Sequence, residues 1–127
     1  MQLFYVFLGG GLGAICRYMV TSAIGGRFNM LFPFGTLLVN TLGSFFMAVV
    51  LGVLLPLAKS TNTLSESLRL LLTVGFLGGF TTFSSFSMET LTLIRGGSYF
   101  LAIANVTTNI VFGLLAAIIG LKFSATL

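Results

Sequence analysis

Four stretches of the chain are apolar for long enough to cross a membrane. They cover approximately residues 3–24, 35–57, 67–94 and 99–123, and short segments rich in glycine and polar residues separate them. Because a membrane-spanning helix needs about 20 largely apolar residues, each stretch predicts one transmembrane helix. The pattern therefore predicts an all-α integral membrane protein in which residues 1–127 form a single four-span membrane domain.

The ends of these stretches carry recognisable signals. The first stretch has no basic segment before it, so we expect a permanent span and a mature protein that begins near Met1. Arg95, followed by Gly96 and Gly97, predicts a helix end with a glycine cap, and Ser98 is a suitable N-cap for the next helix. We therefore expect the third and fourth spans to form a hairpin with a very short connection.

The third span contains an unusual central segment, residues 75–89, with three glycines and five hydroxyl residues. This composition weakens a regular helix, and irregular backbone at membrane depth is tolerated only where it is buried or lines a cavity. The segment therefore predicts a break in the third helix. A break would free carbonyl oxygens, which are hard ligands suited to Na⁺.

Aromatic and hydroxyl side chains follow the predicted break. Phe83 and Phe86 share one helix face, and Thr82, Ser85 and Glu89 line a neighbouring face. Core packing explains two phenylalanines at this spacing. However, a small anion needs hydrogen-bond donors and can also rest against the positive edges of phenyl rings. The stretch is therefore also typical of an anion path.

The other spans carry isolated polar residues. Arg17 lies well inside the first span and either extends to an interface or faces a watery vestibule that attracts anions. Asn40, alone in the second span, either bridges helices or contacts a permeating ion. Asn105, Thr108 and Asn109 form a polar stripe on the fourth span, which interhelical hydrogen bonding explains as well as an ion path does.

Composition argues against catalysis. The chain is 57% hydrophobic and only 6% charged, with no histidine, one cysteine and two acidic residues. A histidine-based triad, a zinc site and a paired-carboxylate site therefore lack their parts. We read Cys16 as a packing residue and predict that the protein is not an enzyme.

The basic residues are scattered, although the net charge is +4. A nucleic-acid surface would cluster them, so we expect no nucleic-acid partner. Lys59, Arg69 and Lys122 lie on the side that both termini share, against Arg27 and Arg95 on the other side. With three basic residues on one side and two on the other, the charge bias that sets orientation is weak and permits insertion in both orientations. Two inverted copies would then form an antiparallel homodimer.

Three parts of the sequence resemble the Fluc/CrcB family of fluoride channels. They are the glycine-rich first span ending in Arg17 and Tyr18, residues 33–40 with Gly43, and residues 75–89. The likeness extends over essentially the whole chain. It implies a small four-span protein that works as an antiparallel, dual-topology dimer with two pores. It further implies passive export of F⁻ from the cytoplasm across a bacterial inner membrane, which limits fluoride toxicity.

The resemblance also implies roles for particular residues. The backbone carbonyls of Gly78 and Thr81 from both subunits would hold a structural Na⁺. Arg17 would lie near an aqueous vestibule, and Glu89 along or near the polar track. The implied fluoride path comprises Asn40, Phe83, Ser84, Ser85, Phe86, Asn105, Thr108 and Asn109. The family usually has serine or threonine on the polar face of the fourth span, so this chain departs from the pattern with its two asparagines.

Two alternatives remain open at this point. A small multidrug-type transporter, which exchanges protons for a cation, also has four spans and can insert in both orientations. It would need a carboxylate at mid-membrane, whereas the first span carries Arg17, which favours an anion. A structural or assembly subunit that moves no ion is the other alternative.

Overall fold

A computed structural model describes residues 1–28, 31–58 and 63–127, which form helices and contain no β-strand. Lys59, which entered the charge comparison, lies outside this part of the chain. The helices are α1 (Gln2–Phe28), α2 (Phe34–Ala58), α3 (Thr63–Arg69), a π-helical segment (Leu70–Leu77), α4 (Gly78–Phe80), α5 (Phe83–Arg95) and α6 (Tyr99–Ser124).

Four helical stretches are long and apolar enough to cross a membrane. They are Gln2–Arg27, Phe34–Pro56, Glu66–Arg95 and Tyr99–Ser124, and they match the four predicted spans closely. Helices suit this setting because each one satisfies its own backbone hydrogen bonds where no water is present. The predicted all-α fold with four membrane spans is therefore confirmed.

Two pairs of helices make the most extensive contacts, α2 with α6 and α1 with the π-helical segment. Glycines allow the second pair to approach closely. A methyl group added to Gly13 would overlap the Phe76 carbonyl, and one added to Gly9 would lie 2.8 Å from the Phe76 amide nitrogen. The glycine-rich first span thus provides the close helix contact expected of small residues in membranes.

The third span is broken between α4 and α5, as predicted. Thr81 and Thr82 are extended, with φ/ψ of −79°/158° and −150°/117°. The helix resumes at Phe83. The π-helical winding of Leu70–Leu77 before the break was not predicted. Such winding is rare in α-helical segments and is often found near functional sites.

The third and fourth spans form the predicted tight hairpin. The Gly97 amide donates to the Ile94 carbonyl at 3.0 Å, and the Ser98 amide donates to the Leu93 carbonyl at 2.9 Å. Gly97 has a φ of +77°, which favours glycine. Ser98 occupies the N-cap position of α6, but its side chain makes no capping hydrogen bond. The predicted N-cap position is therefore confirmed, and among the described residues the reversal is held by the backbone bonds of the glycine turn.

Candidate functional site at the helix break

A cavity of about 360 Å³ opens beside the break in the third span. Its wall is formed by Asn40, Gly43, Ser44 and Met47 of α2, by Thr81, Thr82, Phe83 and Phe86 of the third span, and by Asn109 and Ile110 of α6. Ser44 and Met47 were missed by the sequence analysis. Their spacing of four and seven residues from Asn40 places them on the same helix face and is the signal that could have identified them.

Asn40 holds the broken backbone in place. The Thr82 amide donates to Asn40 Oδ1 at 2.9 Å, and Asn40 Nδ2 donates to the Thr82 carbonyl at 3.2 Å. An extended residue inside a helical span loses its normal partners, and burying unpaired backbone groups is costly. One side chain of α2 therefore satisfies both backbone polar groups of the buried Thr82.

The break also creates a new helix N-terminus beside the cavity. Thr82 caps α5, because its hydroxyl oxygen accepts from the Ser85 amide at 3.1 Å. The Thr82 hydroxyl donates to Ser85 Oγ at 3.0 Å, so the hydrogen of the Ser85 hydroxyl is not used in that bond. Ser84 Oγ lies 3.4 Å from the same Thr82 oxygen. The N-terminus of a helix carries a partial positive charge, so this arrangement favours an anion.

The two predicted phenylalanines lie together on the cavity wall. Their ring centroids are 5.7 Å apart and the rings are inclined at 51°. Phe83 is 80% exposed on a single copy of the chain, whereas Phe86 is half-buried. Since the edge of a phenyl ring is electropositive, these rings can make weak favourable contacts with an anion.

The fourth-span amides form a bonded series that begins at the cavity. Asn40 Nδ2 donates to Asn109 Oδ1 at 3.0 Å, and Asn109 Nδ2 donates to Asn105 Oδ1 at 2.9 Å. Asn105 is 0% exposed and donates to Thr90 Oγ1 at 2.9 Å. Thr108 donates to the carbonyl of Ala104 in its own helix at 2.7 Å. The structure therefore brings Asn109 to the cavity and leaves Asn105 and Thr108 outside the set of residues that line it.

Arg17 contacts the other side of the break. Its Nη1 donates to the Thr81 carbonyl at 3.3 Å, and the side chain is half-buried. The carbonyl end of a helix is its negative end, so a guanidinium is favourable there. The guanidinium of Arg17 thus contacts protein at the break, and the choice between extension to an interface and a watery vestibule stays a prediction.

Glu89 lies elsewhere on α5 and is not among the residues that line this cavity. The Thr36 hydroxyl donates to Glu89 Oε1 at 2.6 Å, and Oε2 is buried with no partner in the described part of the chain. Glu89 contributes to two other cavities, of about 150 and 310 Å³. The sequence did not identify Thr36 of α2 as the partner of Glu89. The two residues are 53 positions apart, and no spacing rule links residues so distant.

The predicted site residues thus fall into three groups. Asn40, Phe83, Phe86, Asn109 and Thr81 meet at the cavity. Ser84, Ser85 and Gly78 flank the break, and Arg17 contacts it from α1. Asn105, Thr108 and Glu89 lie away from the cavity wall. Contact of any of these residues with an ion stays a prediction.

The chain is similar to known proteins over nearly its whole length. Residues 4–121 match the family described as CrcB-like protein, Camphor Resistance (CrcB). The chain is 45% identical over 121 residues to a protein of Magnetococcus marinus named fluoride-specific ion channel FluC, covering 95% of each chain. It is 38% identical over 126 residues to a protein of the same name from Citrifermentans bemidjiense, covering 99% of this chain and 98% of the relative. With four membrane spans and matches of this length, the chain is a multi-pass membrane protein that belongs to the CrcB family.

Proposed function

We propose that this protein is a fluoride-selective channel through which F⁻ leaves a bacterial cytoplasm passively, across the inner membrane. The observation that carries the proposal is the similarity, over nearly the whole chain, to bacterial proteins named fluoride-specific ion channels. A channel of this kind performs no chemical reaction, so the protein is not an enzyme. Passive export limits the toxicity of fluoride that has accumulated inside the cell.

The chemistry of the cavity supports an anion path. Fluoride is small and strongly hydrated, so it leaves water only where hydrogen-bond donors replace its hydration shell. The hydroxyls of Ser84 and Ser85 lie at the positive N-terminus of α5, and the rings of Phe83 and Phe86 stand beside them. In our proposal the ion moves past these rings and hydroxyls, along the wall that Asn40 and Asn109 complete.

The working unit we propose is an antiparallel homodimer with two such paths. Two features of a single copy support this assembly. Phe83 is 80% exposed although it lines the cavity, and Gly78 at the break is also exposed. We propose that an inverted second copy covers both residues. The similar numbers of basic residues at the two ends of the spans permit the two opposite insertions that such a dimer needs.

We further propose that Na⁺ binds between the two copies at the break. The Thr82 amide donates to Asn40 and the Ser85 amide donates to the Thr82 hydroxyl, so neither donates to the Gly78 or Thr81 carbonyl four residues earlier. These oxygens fit a hard cation. Arg17 uses one lone pair of the Thr81 carbonyl and leaves the second. Bound there, Na⁺ would neutralise the carbonyl dipoles and join the subunits.

The test is fluoride efflux from proteoliposomes that contain the purified dimer. Vesicles loaded with KF would be diluted into fluoride-free buffer, valinomycin would balance the charge, and an F⁻ electrode would record the release. Matched vesicles loaded with KCl test selectivity. Phe83→Ile and Phe86→Ile remove the aromatic edges and should slow release about tenfold or more. Phe100→Ile is the control, because Phe100 is 82% exposed but lies outside the cavity wall.

Two results would count against this function. Chloride release as fast as fluoride release would contradict selectivity. Absence of fluoride release from folded, dimeric protein would reject the channel. In that case, loss of proton-coupled cation uptake in Glu89→Gln would establish the small multidrug-type transporter, because that class needs a membrane carboxylate.

A further inference from the structure

A continuous series of hydrogen bonds leaves the break and returns to the same helix. The Thr82 amide donates to Asn40, Asn40 to Asn109, Asn109 to Asn105, and Asn105 to Thr90. The series ends where the Thr90 hydroxyl donates to the Phe86 carbonyl at 2.8 Å. It therefore starts and finishes at residues of the third span that line the cavity, and it passes through α2 and α6 on the way.

Both ends of this series impose the same direction of hydrogen-bond donation on the three asparagine amides. A backbone N–H can only donate, so Asn40 must turn its oxygen to Thr82 and its nitrogen to Asn109. At the other end, Thr90 has given its single hydrogen to a carbonyl, so Asn105 must offer its nitrogen to Thr90 Oγ1. Asn109, between them, has one orientation that satisfies both neighbours.

This direction leaves Asn40 without a free donor. One hydrogen of its Nδ2 goes to the Thr82 carbonyl at 3.2 Å and the other to Asn109 Oδ1 at 3.0 Å. Its oxygen accepts from the Thr82 amide. A passing anion could therefore gain a hydrogen bond from Asn40 only by breaking one that holds the break.

We propose that Asn105 and Asn109 act as positioning residues: through the bonded series they fix the orientation of Asn40, and Asn40 in turn fixes the extended backbone at Thr82. This inference rests on the proposed fluoride path for its effect on transport, but its structural part stands independently. The fourth-span asparagines then serve the path by holding the donors of the break in place. The Asn109 amide nitrogen already donates to Asn105 Oδ1 at 2.9 Å and to the Asn105 carbonyl at 3.0 Å, and Asn105 is fully buried, so in this proposal neither residue binds the ion itself.

The test uses a matched pair of threonines on α5. Thr90→Val removes the acceptor at the end of the series. Thr92→Val is the control, because the Thr92 hydroxyl also donates within its own helix, to the Met88 carbonyl at 2.8 Å, but does not bond to an amide of the series. Thr90→Ser keeps the hydroxyl and should therefore keep the Thr82 amide as well protected as in the unmodified protein. Asn109→Leu interrupts the series in the middle and serves as a second variant if Thr90→Val does not fold.

The first readout is hydrogen exchange of the Thr82 amide, measured by NMR on the labelled, purified protein in micelles. Thr90→Val and Asn109→Leu should speed this exchange about tenfold, which corresponds to weakening one hydrogen bond. Thr92→Val and Thr90→Ser should leave it unchanged. Fluoride efflux, the second readout, should fall in the same two variants.

Equal exchange at Thr82 in Thr90→Val and Thr92→Val would overturn the inference. So would failure of Thr90→Ser to restore the protection. If the unmodified protein released no fluoride, the proposed function would fail while the exchange measurement would still decide the role of the asparagines. The two proposals are thereby tested separately.

Discussion

Alanine at Gly13 should push the first helix away from the third span. The added methyl group would overlap the Phe76 carbonyl and lie 2.9 Å from the Phe80 amide nitrogen. These are backbone atoms, which cannot turn aside as the end of a flexible side chain can. At Gly11, two residues earlier on the same helix, an added methyl group would have no atom of the described residues within 4 Å. The same change from glycine to alanine therefore causes a clash at Gly13 and none at Gly11.

The expected changes in the free energy of unfolding differ in sign between Gly13→Ala and Gly11→Ala. Alanine in a helix interior is favoured over glycine by about 0.5–1 kcal/mol, because it loses less conformational freedom on folding. Overpacking a tight contact costs about 1–3 kcal/mol. Because the added methyl group would overlap a backbone carbonyl, the cost at Gly13 falls in the upper part of this range, about 2–3 kcal/mol. Gly13→Ala should therefore lower the free energy of unfolding by about 1–2.5 kcal/mol, while Gly11→Ala should leave it unchanged or raise it by up to about 1 kcal/mol.

The clash should also reach the break. Arg17 lies one turn beyond Gly13, and its bond to the Thr81 carbonyl is already long at 3.3 Å. A shift of α1 by about 0.5 Å would take that distance out of the hydrogen-bonding range. Gly13→Ala should therefore slow fluoride efflux as well as reduce stability.

Unfolding in mixed micelles with an increasing fraction of sodium dodecyl sulfate, followed by far-UV circular dichroism, would measure both variants. The steric reasoning is refuted if Gly11→Ala destabilises the protein as much as Gly13→Ala does. A Gly13→Ala variant as stable as the parent would refute it equally, since the two helices would then have room for the added methyl group.

Two further matched pairs use the same unfolding assay. Thr36→Val removes the donor 2.6 Å from Glu89 and should lower the free energy of unfolding by about 1–3 kcal/mol. Thr41→Val should be neutral or stabilising, because the buried Thr41 hydroxyl has no partner in the described part of the chain; an equal loss in both would contradict this. Gly97→Ala should cost about 1 kcal/mol, because Gly97 has a φ of +77°. Gly96→Ala should cost less at its φ of −80°, and the reverse order would disprove the argument.

The four spans and the break could be predicted because each depends on many residues at once. Hydropathy averaged over some twenty positions is insensitive to any one of them, so the predicted spans agree closely with the structure. The break was predicted from glycines and hydroxyl residues concentrated in residues 75–89. In both cases the physical cause, the need to satisfy backbone polar groups in lipid, acts locally along the chain.

The partners of individual polar side chains could not be predicted in this way. The sequence left Asn40 equally suited to bridging helices and to touching an ion, because spacing alone does not reveal which groups lie opposite. In the structure its partners are Thr82 and Asn109, which are 42 and 69 positions away. Thr36 and Glu89 form a similar distant pair. Such contacts depend on how the helices pack, and packing is set by the whole chain.

The break would solve an electrostatic problem on the fluoride path that we propose through this cavity. The described residues that line the cavity are all uncharged, although an anion at membrane depth needs positive potential. Interrupting the third span supplies it, because the N-terminus of α5 faces the cavity while the opposite, carbonyl-bearing side of the break meets Arg17. Oriented dipoles attract an anion less strongly than a fixed charge on the wall would. That difference matters for transport, because an ion must be able to leave the site as readily as it enters.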